Sequence, residues 1–322
     1  MTGEVICRAG PSLALLKYWG KEVKGDNIPA TPSLAVTLGG VYSETRVRTA
    51  DADEVSVDGA RQEPARFAPF FDALRESLGV STRFHAESMN TFPTSAGLAS
   101  SSSGFAALAG ACARAAGADP SLADLSAIAR AGSASAARAV FGGFTLLPTG
   151  GRRARAVFGP EHWPELRILV AITRRGPKPI SSRRAMDETR AGSPYYFSWI
   201  KESAALLPEA LRALEKRDLE LLGETARRSY SLMHAATLAA RPPILFWLPA
   251  TVAVIHACAE MRAEGIGAWE TIDAGPQVKI LCLDGDAATV TARIGAVSPG
   301  IETILCRPGP GLRYGPRDGA AE

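Results

Sequence analysis

A glycine- and serine-rich stretch, PTSAGLASSSSG at residues 93–104, constrains this chain more than any other part of its sequence. Leu98, Phe105, Leu108 and Cys112 recur at helical spacing, which predicts a helix within residues 98–116 that begins among the serines. Small residues let backbone N–H groups approach an anion closely, and the positive end of the helix dipole adds to the attraction. This composition fits a phosphate-binding loop and a serine-rich turn into a closely packed helix about equally well.

The form of the stretch excludes two common nucleotide-binding motifs. No Gly-Lys-Ser/Thr follows the glycines, as a Walker A loop requires. No GxGxxG opens a helix inside a βαβ unit, so a dinucleotide-binding fold is not indicated either.

Composition narrows the class of protein. The 322 residues suffice for one large or two ordinary domains, and the net charge of +3 is too small and scattered to indicate nucleic-acid binding. Five widely spaced cysteines form no CxxC pair, which favours free thiols in a reducing compartment. The first residues lack the apolar core of a signal peptide, and no apolar run approaches the ~20 residues that span a bilayer. We therefore expect a soluble cytoplasmic protein without a membrane or nucleic-acid partner.

Strands and helices are interleaved without a regular βαβ rhythm, which predicts an α+β fold. Period-two or apolar runs predict strands, and helical periodicity predicts helices. The predicted strands are 41–48, 83–88, 144–147, 166–172, 268–272 and 278–283; the predicted helices are 67–78, 98–116, a helix start in 132–140, and most of 181–265. An arginine-rich interval, 149–156, is predicted to be a surface loop, and the tail beyond Arg313 to be disordered. A proline-rich turn near residue 178 is the predicted boundary between two domains, 1–178 and 179–322.

Three further segments carry side chains suited to chemistry on an anion. Asp273 lies in a tight DAGP turn between two apolar strands, where it is either a catalytic carboxylate or a residue that only caps the turn. Arg138 follows Ser133 and Ser135 and could hold a carboxylate bidentately or simply be solvated. The KYWGK run at 17–21 is either a basic pocket wall or an edge strand.

Six motifs, in order along most of the chain, resemble one family. PTSAGLASSSSG resembles the phosphate loop of the kinase superfamily named for galactokinase, homoserine kinase, mevalonate kinase and phosphomevalonate kinase (GHMP), in the form typical of the diphosphomevalonate decarboxylase family. The other five are Leu16-Lys-Tyr-Trp-Gly-Lys21 with Ser33-Leu-Ala-Val-Thr-Leu38, Gly132-Ser-Ala-Ser-Ala-Ala-Arg138, Ser181-Ser-Arg183 with Met186, Met233-His-Ala235 and Asp273-Ala-Gly-Pro276.

This resemblance implies a two-domain GHMP-kinase fold, with a ribosomal-protein-S5-like α/β domain that binds ATP followed by a ferredoxin-like α+β domain. It also implies a homodimer and an activity that uses ATP and Mg²⁺. In that reaction, the tertiary 3-hydroxyl of a phosphorylated mevalonate is phosphorylated. The phosphate then leaves as the C1 carboxylate departs as CO₂, and isopentenyl diphosphate is formed.

The resemblance assigns roles to residues at matching positions. The implied catalytic residues are Asp273, Lys17 and Arg138. The implied substrate-binding residues are Tyr18, Lys21, Ser133, Ser135, Ser181, Ser182, Arg183 and Met186. Nucleotide binding is implied for Pro93, Ala96, Gly97, Leu98, Ala99, Ser100, Ser101, Ser102 and Gly104, with Ser101 nearest Mg²⁺. His234 is interpreted as structural.

Two positions depart from the family pattern. Ala30-Thr-Pro-Ser33 replaces a segment that usually carries an Asn, and Gln277 replaces the Asn that usually follows Asp-Ala-Gly-Pro. Three substrates therefore stay open: mevalonate 5-diphosphate, its 5-monophosphate, or mevalonate phosphorylated at O3 without decarboxylation. A binding protein without turnover is a fourth alternative, but both the aspartate and the phosphate loop are retained.

Overall fold

The computed structural model describes residues 3–22, 27–93, 97–176 and 180–315, which form fourteen strands and ten α-helices. The strands are β1 Val5–Ala9, β2 Ser12–Ala14, β3 Ser33–Gly39, β4 Ser43–Ala50, β5 Glu54–Val57, β6 Ala60–Arg61, β7 Arg83–Asn90, β8 Phe144–Leu147, β9 Arg155–Phe158, β10 Leu166–Ile172, β11 Trp269–Ile272, β12 Val278–Leu283, β13 Glu302–Pro308 and β14 Arg313–Tyr314. The helices are α1 Pro64–Leu78, α2 Ser100–Ala115, α3 Leu122–Gly132, α4 Ala136–Ala139, α5 Ser182–Gly192, α6 Tyr196–Ala205, α7 Leu207–Lys216, α8 Leu219–Leu238, α9 Pro249–Ala263 and α10 Asp284–Ala296.

A six-stranded sheet in the order β14-β1-β4-β7-β5-β6 forms one layer of the molecule. Helix α2 packs directly on β1 and β4, with α1, α3 and α4 around it. The alanines of α2 make this close approach possible, since Ala106, Ala107, Ala109 and Ala111 are completely buried and present no bulk beyond Cβ. The glycine- and serine-rich stretch therefore leads into a helix that packs closely against the sheet.

An eight-stranded sheet runs β11-β12-β10-β13-β3-β8-β9, with β2 paired to β3. Helices α8, α9 and α10 pack on its β10–β12 part. Strand β13 is antiparallel to both β10 and β3, and it therefore joins strands from the two halves of the chain. The turn between β11 and β12, and the chain that follows β2, come together near this junction.

Most predicted elements are present, with three corrections. The predicted disorder beyond Arg313 is wrong at Tyr314, which belongs to β14 and pairs with Cys7 of β1. The predicted helix start in 132–140 is wrong in extent: Gly132 is the last residue of α3, Ser133 is extended, and helix resumes only at α4. The predicted loop 149–156 is also too long, because β9 pairs with β8 from Arg155 onward. Residues 177–179, within the proline-rich turn, and residues 316–322 of the predicted tail lie outside the described residues. The division of the chain at 178 stays a prediction.

All five cysteines are free and buried in the structure. Within the described ranges, we find no helix with the length and apolar character needed to cross a membrane.

Candidate active site

Asp273 lies immediately after β11, in a turn closed by a 2.8 Å hydrogen bond from the Gly275 N–H to the Asp273 carbonyl. Its carboxylate is held between two buried lysines. Lys17 Nζ lies 2.8 Å from Oδ1, and Lys279 Nζ lies 3.1 Å from Oδ2. Burial alone would raise the pKa of Asp273, but the two ammonium groups outweigh it and hold the pKa well below its usual range. The carboxylate is therefore ionised, and with 30% of its side chain exposed it can still reach a ligand.

Lys17 follows β2, and its Nζ also donates to the Ala14 carbonyl at 2.8 Å. Its backbone is fixed as well, because the Lys17 N–H donates to Ser229 on α8 at 2.9 Å, and Thr31 donates to the Lys17 carbonyl. Burial lowers the pKa of Lys17 to about 8, although Asp273 acts in the opposite direction. This ammonium is therefore charged at neutral pH and loses its proton in mildly alkaline solution.

Arg138 is part of α4 and only 2% exposed. Its Nε donates to Ser12 Oγ at 3.3 Å, and its Nη1 donates to Ser33 Oγ. Burial lowers its pKa to about 10, so the guanidinium stays charged at neutral pH. It forms no ion pair with any carboxylate among the described residues. A buried guanidinium held only by neutral hydroxyls is well suited to bind an anion.

Tyr18 extends the site from Arg138 toward α5 and α6. Its hydroxyl is buried and has no hydrogen-bond partner in the described structure, and Arg138, Arg130 and Arg183 all act on it electrostatically. The hydroxyl of Tyr196, on α6, is also buried and has no hydrogen-bond partner among the described residues. Two unpaired phenols near several cations leave hydrogen-bonding capacity for a polar ligand.

The segment that carries Tyr18 is clamped by α5 and α6. Trp199 Nε1 donates to the Trp19 carbonyl at 2.7 Å, and Trp19 Nε1 donates to Thr189 at 3.2 Å. Gly20, at φ +115°, is required here, because a Cβ would lie 2.3 Å from the Tyr196 hydroxyl oxygen. Lys21 is buried, and Arg190 donates to its carbonyl at 2.8 Å.

The remaining predicted substrate residues lie at helix termini or in the core. Ser133 and Ser135 are half-buried, and their hydroxyls are 3.0 Å apart between α3 and α4. Ser181 is the N-cap of α5 and accepts from the Arg184 N–H. Ser182 is half-buried, Arg183 is exposed, and Met186 packs in the apolar cluster with Trp19 and Trp199.

The stretch predicted to bind phosphate lies at the start of α2. Gly97 has φ +70° and Ala99 has φ +50°, and Ser100 is the first helical residue. Ser102 is turned inward, where its Oγ accepts from the Ser12 N–H at 3.1 Å and donates to the Ala99 carbonyl at 2.8 Å. Leu98 is buried and Pro93 is half-buried, while Ala96 lies outside the described residues.

Ser100, Ser101 and Gly104 line an open cleft between α1, α2 and the six-stranded sheet. The cleft wall also includes Ser88 and Asn90 of β7. A second, much smaller cavity of about 10 Å³ separates the loop from the turn carrying Asp273. It is lined by Ser12, Gly97, Leu98, Ala99, Asp273 and Lys279, among others. The loop and the Asp273 carboxylate therefore face one another across a gap the size of a water molecule.

Gln277, one of the two departures from the family pattern, ties the loop to the sheet. Its Oε1 accepts from the Thr173 N–H at 2.6 Å, its Nε2 donates to the Arg174 carbonyl, and a Cβ on Gly97 would lie 2.3 Å from its Cγ. This glutamine therefore supports the end of β10 and the phosphate loop.

Sequence reasoning missed Lys279 and Tyr196. Lys279 had a usable signal, because it is the only charged residue in the apolar run VKILCL directly after the DAGP turn. Tyr196 had no such signal in the sequence, since its neighbours Tyr195 and Phe197 are aromatic as well but are exposed.

His234 is buried near Lys17, and burial lowers its pKa to about 3, so the ring is neutral. Within the described residues, no three His, Cys, Asp or Glu side chains converge as metal ligands.

Comparison with known proteins agrees with this geometry. Residues 9–157 match the diphosphomevalonate decarboxylase-like N-terminal domain, and residues 168–306 match the mevalonate 5-diphosphate decarboxylase C-terminal domain. The chain belongs to the diphosphomevalonate decarboxylase family. It is 33% identical to the diphosphomevalonate decarboxylase of Candida albicans over 301 residues, covering 84% of this chain and 81% of that one. The corresponding enzyme of Bos taurus is 31% identical over 324 residues, covering 90% and 79%.

Solved structures of the family confirm the predicted α+β, two-domain GHMP-kinase fold. The mevalonate diphosphate decarboxylase from Staphylococcus aureus has a TM-score of 0.90 and 30% identity, and covers 97% of both chains. The structure of MDDEF in complex with MVAPP, AMPPCP and magnesium has a TM-score of 0.89 and 32% identity, covering 97% of this chain and 98% of that one.

Proposed function

We propose that this protein catalyses the ATP-dependent decarboxylation of mevalonate 5-diphosphate to isopentenyl diphosphate, ADP, phosphate and CO₂, through phosphorylation of the 3-hydroxyl. Membership of the family supports the reaction. The observation that carries it to this chain is that one site contains two groups: Arg138, a buried cation without an ion-pair partner among the described residues, and the ionised Asp273. The substrate needs both groups, since it presents a C1 carboxylate and a C3 hydroxyl that are separated by only one carbon, C2.

Arg138 and Asp273 are assigned to different groups at the reacting end of the substrate. Arg138 suits the C1 carboxylate, because a guanidinium binds a carboxylate through two parallel hydrogen bonds. Ser133 and Ser135 lie at the ends of the adjacent helices and can add hydroxyl contacts. Asp273 accepts a hydrogen bond from the 3-hydroxyl and orients its oxygen, while Lys17 keeps the carboxylate ionised.

The diphosphate end is assigned to the surface between the KYWGK segment and α5. Tyr18 offers an unpaired hydroxyl and Lys21 a buried cation. Ser181, Ser182 and Arg183 contribute the N-terminus of α5 and an exposed guanidinium, which together favour negative charge. Met186 forms an apolar wall behind them.

The nucleotide is assigned to the loop and the cleft beside it. The positive φ of Gly97 and Ala99 and the helix N-terminus at Ser100 form a cradle suited to phosphates. Ser101 is exposed, and we assign its hydroxyl to Mg²⁺. When bound, MgATP supplies the phosphoryl group that makes the tertiary oxygen a leaving group. The inward-facing Ser102 supports the loop from behind.

The direct test offers mevalonate, its 5-phosphate and its 5-diphosphate separately with MgATP and measures ADP and CO₂ together. We expect equal amounts of ADP and CO₂ from the diphosphate alone. An Asp273→Asn preparation, purified identically, controls for contaminating ATPase. A preference for the monophosphate, or ADP without CO₂, would replace the proposal with a sister activity and direct attention to Thr31, Pro32 and Gln277.

The pKa of Lys17 predicts an alkaline limit to turnover. As pH rises through about 8, the lysine loses its proton and the ion pair with Asp273 weakens, so kcat should fall. A pH profile of kcat measures this limb. Lys17→Arg is the matched variant, because a guanidinium keeps its charge in the same range. An identical alkaline limb in both enzymes would exclude Lys17 as its source.

We also propose that the enzyme is a cytoplasmic homodimer, divided near residue 178 into an ATP-binding and a second domain. The free thiols fit a reducing compartment. The homodimer rests on family resemblance, and the boundary rests on the proline-rich sequence near residue 178.

A further inference from the structure

Lys279 differs from Lys17 in how much of its hydrogen-bonding capacity the protein uses. An ammonium group has three donors. Lys17 donates to Asp273 and to the Ala14 carbonyl, whereas Lys279 donates only to Asp273 Oδ2 among the described residues. Lys279 is nevertheless just 2% exposed. A buried ammonium with two unused donors is costly, so this arrangement indicates a ligand that supplies the missing acceptors.

The position of Lys279 indicates which acceptors these are. It lines the small cavity whose other walls include Gly97, Leu98 and Ala99 of the loop, together with Asp273. This cavity lies between the group assigned to nucleotide phosphates and the carboxylate assigned to the 3-hydroxyl. A phosphoryl group passing from one to the other must cross it.

We propose that Lys279 is a further catalytic residue, which binds the oxygens of the γ-phosphate of ATP while its remaining donor holds Asp273. The inference rests on the proposed function, and extends it by assigning Lys279 as the cation that binds the phosphoryl group being transferred. In this position the ammonium offsets the charge of the phosphoryl oxygens and keeps them aligned with Asp273.

The alternative is that Lys279 acts only through Asp273, and a double variant separates the two. Asp273→Asn removes the carboxylate, and Asp273→Asn/Lys279→Met removes the Lys279 ammonium as well. Lys17 loses its carboxylate partner equally in both proteins, so the two differ only at Lys279. Binding of Mg·AMPPCP and Mg·ADP to both proteins is measured by titration calorimetry. We expect Lys279→Met to weaken AMPPCP about tenfold or more in this background, the loss of a charge-assisted hydrogen bond, with ADP affinity unchanged within about twofold.

Equal effects on the two nucleotides, or no effect on either, would overturn the proposal. Lys201→Met, at an exposed position on α6, is the matched control and should change neither affinity. Lys279→Met in the otherwise unaltered protein repeats the comparison with Asp273 in place. Because AMPPCP binding requires no turnover, these titrations give an answer even if no mevalonate derivative proves to be a substrate.

Discussion

Asp273→Asn is expected to lower kcat by about a thousandfold or more while Mg·AMPPCP still binds. Asparagine keeps the shape of the side chain but removes the charge that faces Lys17 and Lys279. It also accepts a hydrogen bond from the substrate hydroxyl less strongly. Steady-state release of ADP and CO₂ measures the loss, and calorimetric titration of Mg·AMPPCP shows that the nucleotide site survives.

The control for this prediction is Asp72→Asn, which removes an exposed carboxylate paired with Arg75 on α1. A surface pair of this kind contributes little, so the control should match the unaltered enzyme. Near-normal turnover by Asp273→Asn would remove Asp273 from the catalytic role. A parallel loss of AMPPCP binding would mean that the substitution had damaged the site as a whole.

Arg138→Ala is expected to lower kcat/KM for mevalonate 5-diphosphate by about a hundredfold or more. The substitution would leave the C1 carboxylate of the bound substrate without its cation, and removing one partner of a buried charge pair costs several kcal/mol. The change should weaken substrate binding and CO₂ release far more than the affinity for MgATP. Arg138→Lys should recover only part of the loss, since an ammonium keeps the charge but not the two parallel donors.

Stability has to be measured beside activity for Arg138, because the alanine leaves the hydroxyls of Ser12 and Ser33 without their buried partner. Ser33 still donates to the Leu16 carbonyl at 2.9 Å, but the unpaired hydroxyl of Ser12 costs about 1–3 kcal/mol, so a lower melting temperature is expected. Arg153→Ala removes an exposed arginine paired with Asp124 and should affect neither property. An unchanged rate of decarboxylation in Arg138→Ala would refute the carboxylate assignment.

The sequence predicted the buried strands well, because apolar runs bounded by turn residues admit few alternatives. Strands 144–147, 166–172 and 278–283 have the predicted bounds, and the DAGP turn lies between two strands as expected. Helix α2 begins among the serines, where the change from glycine and serine to alanine indicated its start. The family motifs also named most of the groups that the fold brings together around Asp273.

Prediction from the sequence failed where the structure depends on contacts with distant parts of the chain rather than on neighbouring residues. Strand β13 carries an exposed apolar residue, Leu305, beside Cys306, so its sequence does not show the alternation of exposed and buried positions. Its position depends on pairing with β3 and β10. Gly132 ends α3 instead of starting a helix, and it lies so close to α2 that a Cβ there would be 2.2 Å from the Phe105 ring. In the sequence, Lys279 is a single charged residue in an apolar strand. Only the fold shows that its ammonium lies 3.1 Å from the Asp273 carboxylate.

The return of the last strands to the first ones has a consequence for how the protein is made. On the ribosome, β1 and β3 are synthesised long before β14 and β13, which become their neighbours in the finished sheets. Until then, these strands present unpaired edges on which a second nascent chain could add. A fragment that ends before residue 302 would keep Asp273, Lys279 and the phosphate loop in its sequence, yet lack the strand that joins β3 to β10. The candidate site therefore lacks this join between β3 and β10 until residues 302–308 have been synthesised.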